Sequence, residues 1–169
     1  DPSSAIQHYL LSLKQSPNNI FLLRKIIPLL VSHGKIDEAL PKAKQLLELS
    51  NNESNIARLT LILADIKDHK YVKALKNTEK LQEDGLNTYL IPMLKAWLLA
   101  GQNKSDAALR IIDQKNRNPG LKILHSIQGA LISEFGGNVK DAVTRYKKVV
   151  KSQKNMNLRA IILLGNLYE

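Results

Sequence analysis

Apolar and small side chains recur along this chain at two distances, one of three or four residues and one of about 34. At the short distance, Ala39, Ala43 and Leu46 follow i, i+4, i+7 spacing, as do Ala74, Thr78 and Leu81, and Ala142, Tyr146 and Val149. Ala5, Tyr9 and Ser12 follow it too, and Ala108 and Ile112 begin the same pattern. Such spacing places each set on one face of a helix. Between these sets, residues 20–32, 56–66, 90–99 and 123–135 are rich in Leu and Ile, and they predict partner helices for the alanine-headed ones.

The longer period is carried by an alanine followed by an aliphatic residue, at Ala5-Ile6, Ala39-Leu40, Ala74-Leu75, Ala108-Leu109 and Ala142-Val143. Successive alanines are 34, 35, 34 and 34 residues apart. Small residues at the head of each face let neighbouring helices approach closely. Five residues before the last four alanines stand Gly34, His69, Asn103 and Gly137. Gly and Asn tolerate the left-handed backbone that ends a helix, and His is also enriched there. Ile36, Tyr71 and Val139, each two residues further on, are expected to pack the start of the next helix, with Ser105 the exception.

Breaker, alanine and period together resemble the tetratricopeptide repeat, a helical hairpin of about 34 residues. Pro17 stands where that family places a proline, whereas Asn51, Leu86, Gly120 and Lys154 occupy the equivalent later positions. Leu164-Gly165-Asn166-Leu167-Tyr168 resembles the family's Leu-Gly-x-x-Tyr in a first helix. The resemblance implies an all-α, right-handed superhelix of about ten antiparallel helices. Its register divides the chain into a second helix at 1–18, full repeats at 19–53, 54–87, 88–121 and 122–155, and a first helix at 156–169. Ile161, Ile162, Leu163 and Leu164 are apolar where a terminal cap is polar, so the chain is expected to be a piece of a longer protein.

The family's first helices line a concave face. Carried over by position, the resemblance places Phe21, Arg24 and Pro28, then Leu90, Met93 and Trp97, then Leu124, Ile127 and Leu131 on that face. The second repeat, with its changed length, is left unassigned. An apolar groove of this kind suits a peptide, a helix or another domain of the same chain, and Trp97 is the strongest anchor in it. The plainer alternative is that Trp97 and Met93 are core. Pro28 falls inside a predicted helix, where it should kink the helix or delay its start. Pro41 and Pro92 lie nearer predicted starts, where proline costs little.

Charge adds a second candidate surface. The net charge is +10, with 12 basic and 10 acidic residues over 1–85 against 13 and 5 over 86–169. Lys140, Lys147, Lys151 and Lys154 align along one side of a helix, joined by Arg145 and Lys148. This stripe offers an alternative function, holding an anionic membrane surface, an acidic protein or nucleic acid. Nucleic acid is disfavoured, because lysines outnumber arginines 19 to 6 and aromatics are scarce at 5%. The apolar end helices also invite self-association.

Catalytic chemistry is not expected. There is no cysteine, and His8, His33, His69 and His125 lie too far apart in sequence for a ligand motif. Gly136-Gly137 is a turn pair and not a phosphate loop, and Asp65 with Asp68 is read as a turn rim flanked by lysines. No cofactor or metal is implied. The chain has no uninterrupted apolar run of about 18 residues, so no helix is expected to span a bilayer. Either a cytoplasmic or a bacterial periplasmic setting accommodates such a chain.

Overall fold

A computed structural model describes residues 2–115, 121–151 and 157–168. These residues form ten α-helices and no strand: α1 Pro2–Gln15, α2 Ile20–Ser32, α3 Ile36–Leu49, α4 Asn55–Lys67, α5 Tyr71–Thr78, α6 Asn87–Ala100, α7 Ser105–Lys115, α8 Lys122–Phe135, α9 Val139–Lys151 and α10 Leu158–Asn166. Among the described residues no helix is long and apolar enough to cross a membrane. The helices fall into two compact units, Asp1–Gln82 and Glu83–Glu169. Dividing the charge at that boundary moves Glu83 and Asp84 into the second unit. The net charges become +4 and +6, so the basic excess is shared more evenly than a cut at residue 85 suggests.

Gly34, His69, Asn103 and Gly137 have φ of 71°, 57°, 60° and 77°. Each donates its N–H to the carbonyl three residues back, and the following residue donates to the carbonyl five back, at 2.7 to 3.0 Å. This paired bond is the Schellman ending, which satisfies helix carbonyls that would otherwise lack partners. The next helix then starts at Ile36, Tyr71, Ser105 or Val139. Ile36 and Tyr71 are half-buried, but Val139 is exposed and does not pack there as expected. Ser105 packs against Gly136 so closely that a Cβ at Gly136 would run into its side chain. Where the resemblance expects a proline, Asn51 instead ends α3 with φ of 49°.

In the first unit, Leu23, Ile26, Ile27 and Leu30 of α2 are completely buried against Ala39, Ala43 and Leu46 of α3. Ile6 and Leu13 carry the buried side of α1, one position away from the expected Ala5 set, and Ser12 is exposed. Asn19 and Ser54 cap α2 and α4 by accepting the N–H groups of Leu22 and Ala57. In the second unit, Ala96, Ala100, Ala108, Ile112 and Ile132 form one core cluster, while Ala130, Ala142 and Tyr146 form another. α2 runs on through Pro28, whose side chain is exposed. Pro41 and Pro92 are each the sixth residue of their helices. Pro92 is buried and lies deeper in its helix than expected, because α6 begins at Asn87.

Candidate partner-binding surfaces

The second unit brings one face of α6 against one face of α8. On α6, Leu90, Met93 and Trp97 are spaced i, i+3, i+7, with Leu90 exposed and the other two half-buried. The Trp97 indole Nε1 donates to Gln128 Oε1 at 2.7 Å. Its ring meets Phe135 edge to face, centroids 6.1 Å apart at 71°. On α8, Leu124 is 39% exposed and Phe135 60% exposed, while Leu131 is half-buried. Ile127 is 7% exposed and packs in the core with Val149 and Ala160. Gln128 and Phe135 are additions to the expected residues, and their spacing from Leu124, i+4 and i+11, places them on its face.

In the first unit, Phe21 is 64% exposed, with the Lys25 ammonium 5.4 Å from its ring centre. Arg24 and Pro28 are also exposed on α2.

The basic stripe is less uniform than its sequence suggests. Lys140, Lys147, Lys148 and Lys151 are exposed, and Lys154 lies outside the described residues. Arg145 is instead tied into a network. Its Nη1 and Nη2 donate to the two carboxylate oxygens of Asp113 at 2.8 and 2.9 Å, and its Nε donates to Asp141 at 2.7 Å. Gly129 makes room for this guanidinium, since a Cβ there would stand 2.8 Å from Nη1. Burial alone would raise the Asp141 pKa, but hydrogen bonds from Ser133 and Arg145, with the arginine's charge, hold it below the ordinary value. Thr144, Lys147, Lys148 and Lys151 surround a hollow of about 540 Å³. The Lys147 ammonium lies 5.5 Å from the ring centre of Tyr168. Tyr146, fully buried behind it, donates to Glu134 at 3.0 Å. Burial, then the neighbouring carboxylate, pushes its phenol pKa upward.

The Asp65 carboxylate is buried, contrary to its reading as a turn rim. It accepts from Lys73 at 2.6 Å and Asn77 at 3.1 Å, so it ties α4 to α5. Asp68 pairs with Lys70 on the exposed turn. A hydrogen bond from Lys70, then its charge, lowers the Asp68 pKa. Among the described residues no group of three His, Cys, Asp or Glu side chains is arranged to hold a metal.

No protein-family model matches the sequence, and no curated protein matches it. Solved structures do match. A tetratricopeptide repeat protein from Parabacteroides merdae aligns with 98% of this chain at a TM-score of 0.81 and 20% identity, and the chain spans 64% of that protein. MamA from Desulfovibrio magneticus RS-1 aligns with 91% of this chain and 88% of its own at a TM-score of 0.69 and 16% identity. YrrB, a tetratricopeptide protein with an unusual peptide-binding site, aligns over 95% of this chain and 81% of its own at a TM-score of 0.62 and 15% identity. The fold is therefore an all-α, tetratricopeptide-like helical repeat. At these identities what is shared is the fold.

Proposed function

We propose that the chain is a non-catalytic interaction scaffold that holds an apolar segment of a protein partner, or of another domain of its own chain, on the α6–α8 face. The observation carrying this reading is the clustering of large apolar groups there. Leu90 on α6 and Leu124 and Phe135 on α8 remain exposed, and Phe135 meets the ring of Trp97, whose N–H is already bonded. Exposed apolar patches mark interaction sites, and tryptophan is enriched among binding hot spots. Phe21, with Arg24 and Pro28, offers a smaller surface of the same kind on α2. YrrB's peptide-binding site supports the reading that peptides are held by folds of this type.

The test is retention of proteins from a cell extract on the immobilised chain at high and low salt. A groove partner stays bound at high salt, because apolar burial is not screened. It should be lost at least tenfold in Leu124→Glu plus Phe135→Glu, and kept in Lys147→Glu plus Lys151→Glu. Both α8 side chains are exposed, so the variant retains its core. Retention that ignores the α8 pair and follows the lysines would overturn the proposal.

A further inference from the structure

The first unit contains an apolar concavity on the side formed by α1 and α3. Its volume is about 610 Å³, inside the range of roughly 300–1,000 Å³ typical of ligand sites. Leu23 of α2, completely buried, is at its floor, and Leu10 and Leu11 of α1 form one wall. Leu11 is 58% exposed although it belongs to a helix whose Ile6 and Leu13 are buried. Pro17 and Pro41 also line the space. Neither carries a backbone N–H, so their edges present carbon.

Polarity at the rim has one sign. Lys14 and Lys42 both line the groove, and none of its lining residues is acidic. Among the described residues neither lysine enters a salt bridge; Lys42 donates only to the Glu38 backbone carbonyl, at 3.2 Å. At the end near Pro17, the Gln45 side chain is held in place. Its Nε2 donates both to the Pro17 carbonyl at 3.1 Å and to Asn18 Oδ1 at 2.9 Å. With both amide hydrogens used, its carbonyl oxygen is left to accept from an N–H.

We infer that this groove docks a short acidic amphipathic peptide segment of a protein partner. Leucine-type side chains of the segment fill the slot above Leu23, and its carboxylates meet Lys14 and Lys42. The acceptor on Gln45 favours a peptide over an acyl chain, which has no N–H to give it. This site is separate from the α6–α8 face and stands or falls without it.

The experiment is fluorescence anisotropy of the whole chain against a labelled peptide of about twelve residues, with leucines three and four apart and aspartate or glutamate elsewhere. A second peptide carries lysine in place of every acid, and sodium dodecanoate is the lipid-like competitor. Expected is saturable binding of the acidic peptide only. That binding weakens at least tenfold in Leu11→Glu and in Lys14→Glu plus Lys42→Glu, falls with added salt, and is unchanged in Leu124→Glu. Circular dichroism confirms that each variant keeps its helices. Three results overturn the inference: no saturable binding, binding indifferent to Leu11 and the two lysines, or a groove that takes dodecanoate and not the peptide.

Discussion

At the residue scale, the most informative side chain is Arg145, which sequence spacing placed in the basic stripe. Asp113 and Arg145 are 32 residues apart, close to one repeat, so the fold stacks equivalent helices and brings them together. Periodicity alone did not reveal this, because it assigns a face and not a partner. Asp141 completes the network, and its titration provides a check. Its folded pKa lies below the ordinary 3.8. The ionised form therefore favours the folded chain above that value, and the contribution is lost as pH falls through the folded pKa. Asp141→Asn should cost about 1 kcal/mol at pH 7, with solvent screening keeping the figure modest. Urea midpoints of the two proteins should differ at neutral pH and converge as pH is stepped below 3.8. A gap that persists into acid would mean the network's charge contributes nothing. By contrast, the helix endings at Gly34, His69, Asn103 and Gly137 were legible, since a left-handed residue is a local requirement.

At the element scale, helix existence was also readable from the chain, for the same reason that most of its information is local. Segment 20–32 coincides with α2, where Leu23, Ile26, Ile27 and Leu30 repeat at helical spacing. Lengths were less legible. The Ala74, Thr78, Leu81 set suggested one continuous helix, yet α5 stops at Thr78 and Leu81 reaches its buried position from a turn, bonding back to Thr78 at 3.2 Å. Eight residues are too few for a helix to hold without tertiary support. Asp65 supplies part of that support through Lys73 and Asn77, a role hidden in sequence by its place at the end of α4. Asp65→Ala should therefore destabilise α5 by about 1–3 kcal/mol. Hydrogen exchange should show α5 amides losing at least tenfold protection while those of α2 and α3 keep theirs. Equal loss across all three helices would place α5 in one cooperative block with the rest of its unit.

At the scale of the whole molecule, a charge of +10 attracts anions wherever it is placed, so adsorption to an acidic surface is not in itself evidence of a site. The stripe on α9 makes a narrower claim. Lys147, Lys148 and Lys151 share one hollow with Thr144 and no carboxylate lines it, whereas Arg145 beside them is neutralised by two aspartates. At about 0.1 M salt the screening length is about 10 Å, so a surface in contact with this hollow feels its cluster of lysines more than charge elsewhere. Two variants of equal net charge separate the local cluster from the overall field. Lys147→Glu plus Lys151→Glu and Lys44→Glu plus Lys80→Glu each replace two exposed lysines, and each lowers the net charge from +10 to +6. Binding to vesicles containing anionic lipid, followed by sedimentation, should fall several-fold more in the α9 variant than in its counterpart. The difference should shrink as salt rises. Equal losses in the two variants would show that only the total charge matters, and the α9 lysines would then be ordinary solvated surface.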